Sequence, residues 1–304
     1  MRTDHEVVVG DRRLALTNLG KLMYPEADYT KAQVIDYYVR IAPVLLAHLK
    51  GRPLTMKRYP DGVHGQFFYE KRCPEHRPSW VRTAPIRSKP LGRAIHYCLV
   101  EDLPTLVWVA NLADLELHTS LSLAENMSRP TMVVFDLDPG LPADIIDCCD
   151  VALLCRGMLE RLGLASFPKT SGAKGLQVYV PLNTPVTYGE TKRFSRAMAE
   201  ALAENEPSRV VALQRKSLRS GRVLVDWSQN DEHKTTVCVY SLRATPTPRV
   251  STPVTWDEVR RAARTRDVRQ LALGPDEVLQ RVEASGDLFA GVLELEQRLP
   301  DTKS

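Results

Sequence analysis

The chain of 304 residues holds no apolar run approaching the roughly 20 residues that span a bilayer, so no membrane-crossing helix is expected. Its opening stretch, MRTDHEVVVGDRRLAL, lacks the apolar core of a signal peptide, which predicts a cytoplasmic location. Six cysteines are present (Cys73, Cys98, Cys148, Cys149, Cys155 and Cys238), none in a Cys-x-x-Cys pair. Neither a zinc site nor a disulfide framework is expected from them. Cys73-Pro-Glu-His76 offers two metal ligands, but no second pair lies nearby. Gly-x-Ser-x-Gly is absent, which removes the serine nucleophile elbow. Lys-x-Asp-Gly is absent too, so no ligase chemistry is expected within this chain, and any sealing of strands would fall to another one. There is no internal repeat, no low-complexity tract and no obvious flexible linker.

What is present is basic charge in clusters. The net charge is only +4. Lysine and arginine gather at Lys57-Arg58, at Lys71-Arg72, across residues 82–93 and across residues 209–222. Tyr59, Phe67, Phe68, Tyr69 and Trp80 are interleaved with them. Each cluster alone reads as solvated surface. Several of them, mixed with aromatics, point to nucleic acid.

Local patterns predict a mixed architecture. Thr30 and Gln33 have capping-box spacing ahead of a helix that Gly51 closes, with Pro43 expected to kink it. Short strands and turns follow from Leu54 to about Leu117, with a helix over residues 104–113. TMVVFDLD is β-branched and apolar on both faces, as a central strand is. A helix is expected over residues 142–162. ASFPKTSGAKGLQVYVPL reads as two strands joined by a glycine-rich loop. Thr187 with Glu190, and Thr255 with Glu258, open two further helices. RVLVDW and KTTVCVY read as strands, and PDEVLQRVEAS as a last helix before a frayed, charged tail. Strict βαβ alternation is missing, so the class is α/β or α+β with a mixed central sheet flanked by helices.

VVFDLDPG carries the main chemical signal. Side chains alternate along a strand, so Asp136 and Asp138 share a face. Two like charges side by side are tolerated when a cation lies between them or when one holds a proton. Asp226 ends RVLVD, a second apolar strand. Were the two strands neighbours, three carboxylates would converge as hard donors suited to Mg²⁺ or Mn²⁺. Asp-Pro-Gly is also an ordinary turn, which Asp138 could simply initiate. The loop KTSGAKGLQ places Ser171, Gly172, Lys174 and Gly175 together. A hydroxyl, an ammonium and unshielded amides suit a phosphate chain, although a plain hairpin turn has the same composition. It is not a Walker A loop. Gln229, Lys234 and Arg243 add polar groups after Asp226. His118, in LELHTS, lies in an apolar alternating stretch where a histidine is more often structural.

In order, VFDLDPG, TSGAKGLQVYVPL and KSLRSGRVLVDWSQN…KTT…YSLR resemble the bacterial end-joining primase-polymerases of the archaeo-eukaryotic primase superfamily. These include the polymerase domain of ligase D and the stand-alone enzymes associated with ligase C. The likeness runs from LTNLGKLMYP near residue 16 to STPVTWDEV near residue 259, most of the chain. It implies a primase-polymerase fold in a single catalytic domain over residues 1–304. Residues 1–130 would supply DNA-binding elements and residues 131–245 the catalytic motifs, with no ligase or nuclease domain.

The resemblance further implies a template-dependent nucleotidyltransferase that fills short gaps or extends ends in DNA repair. It would use NTP or dNTP substrates, favour ribonucleotides and employ two Mn²⁺ or Mg²⁺ ions. Asp136, Asp138 and Asp226 match the metal-binding, catalytic carboxylates. Ser171, Lys174 and the position of Gln177 match the nucleotide-phosphate loop, Arg243 a phosphate-binding arginine, and His118 a histidine near the nucleotide sugar. Gln229 and Lys234 join the nucleotide site. Lys21, Lys31 and, as a helper, Lys57 match lysines holding the 5′-phosphate of a downstream strand. Phe68 and Tyr69 match a base-stacking pair, and Lys216 and Arg219 a basic loop near primer and template. Expected partners are gapped or broken DNA bearing a 5′-phosphate, the end-binding protein Ku and a separate ATP-dependent ligase, with a nucleoid-associated, cytoplasmic setting. The family pattern usually has histidine where this chain has Gln177, which implies altered triphosphate binding because an amide cannot carry charge. Two alternatives remain at this point. One is a DNA-end-binding module whose catalysis has weakened. The other is a phosphatase of the haloacid-dehalogenase type, whose Asp-x-Asp also ends an apolar strand.

Overall fold

A computed structural model describes residues 4–88 and 92–300. Lys89, within the basic segment 82–93, and the tail residues 301–304 lie outside the described residues. The chain divides into two compact units that interleave along the sequence.

The first unit comprises residues up to Ser120 with Val237–Val250 and Gly274–Gly286. It opens with a hairpin, Asp4–Val9 on Arg12–Thr17, which local patterning did not reveal. Helix Lys31–Leu49 follows. The Thr30 hydroxyl accepts the Gln33 amide, and the Gln33 side chain accepts the Thr30 amide, completing the capping box. Such a cap contributes about 1 kcal/mol. The helix continues through Pro43 and buries Val34, Tyr37, Tyr38, Ile41 and Leu45. Strand Pro53–Arg58 is central. It pairs antiparallel with Asp114–Thr119 on one side, and with Arg93–Leu99 and Phe68–Glu70 on the other. Thr83–Ser88 extends the sheet beyond Arg93–Leu99. Helix Leu103–Asn111 is capped by Asp102, whose carboxylate accepts the Thr105 amide.

Cys73 and Cys98 form a disulfide, contrary to the expectation of none. The Cys73 amide donates to the His96 carbonyl at 2.7 Å, which lays the Cys73 segment against strand Arg93–Leu99 and brings the two thiols together. Tertiary pairing, invisible in Cys spacing, made that contact. It also removes Cys73 from any metal role.

The second unit comprises Leu121–Thr236, Ser251–Leu273 and residues from Asp287. Its five-stranded sheet runs Phe167–Thr170, Leu176–Pro181, Met132–Pro139, Val223–Asp226, Val210–Val211. Only the last pair is parallel, so the sheet is mixed. Met132–Pro139 is the middle strand, as its two-faced apolarity predicts. Val133, Phe135 and Leu137 sink into a core shared with Ile146, Leu159, Phe194 and Met198 of helices Ile145–Arg161 and Tyr188–Asn205. Alternation then places Asp136 and Asp138 on the opposite face. Helix Trp256–Thr265 starts at the Thr255–Glu258 box.

Three local readings are corrected. The helix expected from Pro142 begins at Ile145, because Asp144 is its cap and accepts the Ile146 amide. KTTVCVY gives only the two-residue strand Thr236–Val237. Residues 287–300 pack against the rest of the second unit instead of fraying. They hold a short helix, Gly291–Glu294, and the Gln297 amide donates to the Leu182 carbonyl at 2.8 Å.

Candidate active site

The sheet of the second unit lines up four polar residues across its strands. Lys169 stands opposite Gln177, Gln177 opposite Asp136, and Asp136 opposite Asp226. Directly opposed residues project to the same face, with their Cβ atoms roughly 5 Å apart. Asp138 lies two residues beyond Asp136 on that face. Burial pushes the Asp136 carboxyl well above the usual carboxylate range, and the charges of Asp138 and Asp226 push it further. The Gln177 Nε2 donates to Asp136 Oδ1 at 3.0 Å, and Lys169 lies close enough to oppose the shift. The face therefore holds excess negative charge on hard oxygen donors. That chemistry fits a divalent cation such as Mg²⁺ or Mn²⁺. Among the described residues, no three His, Cys, Asp or Glu side chains form a ready-made metal cage.

Asp226 is held by hydrogen bonds within the protein. Its Oδ1 accepts the Ser228 amide at 2.9 Å and the Ser228 hydroxyl at 2.6 Å. Its Oδ2 accepts from Gln229 Nε2 at 3.4 Å. The Ser228 Oγ in turn accepts from Lys234 Nζ at 2.5 Å and Gln214 Nε2 at 3.3 Å. Ser228 thus links the third acid to Lys234 and to the basic loop. Asn230, buried, exchanges two hydrogen bonds with the backbone of Val134 and so fastens this turn to the central strand.

The loop after Phe167–Thr170 folds around Ser171, whose Oγ accepts the amides of Gly175 at 3.0 Å and Ala173 at 3.3 Å. Gly175 is obligatory, since a Cβ there would lie 2.1 Å from the Leu137 carbonyl oxygen. The loop thereby presses on the strand between the two aspartates. Lys174 is exposed at its tip. Gly140 makes a second close approach, since its Cβ would lie 2.0 Å from the Arg219 carbonyl oxygen. The basic loop carrying Lys216 and Arg219 is thereby held against the end of the Asp-Pro-Gly turn. Arg219 Nη2 donates to the Gln214 carbonyl at 2.7 Å, and Lys216 is exposed.

The first unit brings together a different set. Glu116, buried, sits opposite Lys57 on neighbouring strands and two residues before His118. Its Oε2 meets His118 Nε2 at 3.0 Å, Lys57 Nζ at 3.3 Å and Arg243 Nε at 3.5 Å. Burial would raise the Glu116 carboxyl, but the His118 hydrogen bond and the charges of Arg243 and Lys57 hold it far below its usual range. Burial lowers the His118 pKa, with the Glu116 bond opposing it. Lys57 Nζ lies 4.5 Å from the ring centroid of Phe67 and 5.7 Å from that of Tyr69. Tyr69 meets His118 edge-on at 5.9 Å, and Arg58 stacks over Phe68 at 5.2 Å. Phe67, Phe68 and Tyr69 are all exposed, which suits stacking on bases.

Lys21 and Lys31 belong to this unit as well. Lys31 is buried at the start of its helix and donates to the Thr17 carbonyl at 2.7 Å. Burial first, then the charges of Lys21 and Arg58, lowers its pKa to about 8. Lys21 pairs with Asp61 at 2.7 Å.

Sequence reasoning missed Glu116, Ser228 and Lys169. The signal for Glu116 was present: an acid inside an apolar strand, in phase with His118. Ser228 carried none beyond its nearness to Asp226.

The LigD primase-polymerase domain family matches residues 30–289. The chain is 40% identical over 280 residues to the multifunctional non-homologous end joining protein LigD of Mycolicibacterium smegmatis, covering 91% of this chain and 36% of that protein. It is 31% identical over 249 residues to the bifunctional non-homologous end joining protein LigD of Bacillus subtilis, covering 82% of this chain and 40% of that one. The chain therefore spans no more than two-fifths of the length of the curated relatives it matches. Among solved structures, the polymerase domain from Mycobacterium tuberculosis ligase D in complex with DNA aligns with a TM-score of 0.86 at 37% identity, over 94% of this chain and 99% of that one. These likenesses overturn the phosphatase alternative. With its carboxylate sheet and its family match over most of its length, the chain belongs to the LigD primase-polymerase domain family.

Proposed function

We propose that this chain is a template-dependent nucleotidyltransferase that extends a primer 3′-end across short gaps or at broken ends during end-joining repair. The observation that carries the reading is the direct cross-strand pairing of Asp136 with Asp226, with Asp138 on the same face. Asp136, Asp138 and Asp226 would hold two divalent ions, Mg²⁺ or Mn²⁺, which when bound lower the barrier to phosphoryl transfer by stabilising the attacking and leaving oxygens. The residues of the chain do the rest. The amides and hydroxyl around Ser171 and the Lys174 ammonium bind the phosphates of an NTP or dNTP. Lys234, anchored through Ser228, adds positive charge beside Asp226. Gln229 and Gln177 orient carboxylate oxygens, and Gln177 also serves the nucleotide.

In the first unit, Arg243 and His118 recognise the nucleotide, and a preference for ribonucleotides follows from contact with the sugar hydroxyl. Lys21 and Lys31, assisted by Lys57, bind a downstream 5′-phosphate. Phe68 and Tyr69 stack on bases, while Lys216 and Arg219 contact primer and template. Partners are gapped or broken DNA, with Ku and a separate ligase completing repair in the nucleoid. Binding by several phosphate-contacting cations should weaken steeply with salt.

The test is a filter-binding and extension assay with Asp138→Ala. Full DNA binding with extension reduced at least about 10³-fold supports the reading. Extension at the wild-type rate in that variant contradicts it.

A further inference from the structure

Glu116 has no role in the chemistry above, yet it sits at the centre of a cluster of three basic side chains. Its Oε2 faces His118, Lys57 and Arg243, while its Oε1 accepts the Ala244 amide at 3.0 Å and the Tyr59 hydroxyl at 3.4 Å. It has only 2% of its surface exposed. An ionised carboxylate offers acceptors only, so the His118 nitrogen against it must carry a proton. A neutral imidazole has one protonated and one lone-pair nitrogen. With Nε2 protonated, Nδ1 is the acceptor.

We propose that Glu116 is a positioning residue that locks His118 as its Nε2–H tautomer, so that Nδ1 accepts a hydrogen bond from a sugar hydroxyl of a bound nucleotide. The same carboxylate holds Lys57 and Arg243 around one centre, at 3.3 and 3.5 Å. The inference rests on the nucleotidyl-transfer reading and deepens it by assigning what orients the sugar-contacting histidine. Glu116 touches no substrate itself. Its influence travels through His118, much as a carboxylate orients a metal-bound or catalytic imidazole. Burial lowers the basicity of His118, which favours the neutral ring that an acceptor must be. Tyr69 against the ring edge further limits its rotation.

Two measurements test this on the full chain. The first is long-range ¹⁵N–¹H correlation NMR of wild-type protein without nucleotide, which reads the tautomer independently of turnover or of any variant. Neutral His118 protonated at Nε2 is expected; an Nδ1–H tautomer, or an imidazolium at neutral pH, overturns the proposal. The second compares kcat/KM for ribonucleotides and deoxyribonucleotides in wild type and Glu116→Gln. A glutamine amide can present either oxygen or nitrogen to the ring and no longer dictates the tautomer. The ribonucleotide preference should fall roughly tenfold, through KM more than kcat, with deoxyribonucleotide extension retained. An unchanged preference in a folded Glu116→Gln protein overturns the proposal. Absence of extension by wild type with either nucleotide would count against the polymerase reading, and the tautomer would still decide the role of Glu116.

Discussion

Asp136 and Asp226 stand directly opposite each other on adjacent antiparallel strands, and Gln177 faces Asp136 from the strand on its other side. The sheet thus forces two like charges together and supplies one amide to steady them. Burial and repulsion both disfavour ionisation of Asp136, so folding with the carboxylate ionised bears a cost that a bound cation or a proton relieves. Rigid strands, unlike loops, keep that geometry fixed before any ligand arrives.

One consequence concerns stability. Asp136→Asn keeps the shape and an acceptor for Gln177 but removes one buried charge. Without divalent ions, the variant should melt higher than wild type, by about 1–2 kcal/mol of added stability, while extension is lost. Thermal denaturation in chelator, beside a primer-extension assay, checks both halves. A lower melting temperature would mean that the carboxylate is already compensated by the protein.

The Ser171 loop depends on close backbone packing at Gly175. Gly175→Ala would drive a methyl group into the Leu137 carbonyl. Loop and strand must then separate, costing roughly 1–3 kcal/mol and moving the Ser171 amides. A raised nucleotide KM, larger than for Ala173→Gly at the exposed neighbour, is the expected outcome. Equal KM values would detach the loop from nucleotide binding.

Gln177 should matter through Asp136. Gln177→Ala removes the 3.0 Å bond on Oδ1 and leaves the Tyr179 hydroxyl, which lies 3.4 Å from the Gln177 oxygen, without that acceptor. Weaker Mn²⁺ binding by isothermal titration, roughly fivefold or more, is expected. Gln177→His restores a donor that can also be charged, and it should lower the apparent nucleotide KM. An unchanged or higher KM in steady-state extension would reject that part.

Lys31 gives a pH dependence with a definite sign. Its pKa is lowered to about 8 from 10.5, so the unfolded chain holds this proton more tightly than the folded one. The stability cost is fully present below about pH 8 and is relieved as pH rises from there towards 10.5. Phosphate binding runs the other way because it needs the ammonium. The preference for gapped DNA with a 5′-phosphate over a 5′-hydroxyl should therefore shrink between about pH 7 and about pH 9. Lys31→Met should remove most of it at every pH. A pH-independent preference, measured by fluorescence anisotropy, would place the phosphate elsewhere.

Much of this was legible in the residues, where local chemistry decides. The capping boxes at Thr30, Thr187 and Thr255 fixed their helices because the cap lies within four residues of what it caps. The two-faced apolarity of residues 132–137 marked a central strand, and period-two alternation put Asp136 and Asp138 on one face. The pairing of Asp226 with Asp136 required only that two apolar strands be neighbours. The Cys73–Cys98 bond was not legible, because a backbone contact between distant segments creates it. Ser228 was not either: one hydroxyl among many gains its role only when a tight turn folds it back on Asp226. The segment beyond Ser285 looked charged and frayed, yet Gln297 bonds the Ala165 and Pro181 carbonyls through a side chain with no periodic signature.

The central claim is that the paired carboxylates carry templated nucleotidyl transfer. The most direct measurement is extension of a labelled primer across a short gap with a downstream 5′-phosphate, in Mn²⁺ with rNTPs or dNTPs, for wild type and Asp136→Ala side by side. The account predicts template-directed incorporation by wild type, its loss in the variant and similar gap binding by both. Tight gap binding by wild type with no incorporation of either nucleotide would contradict it and leave a DNA-end-binding module.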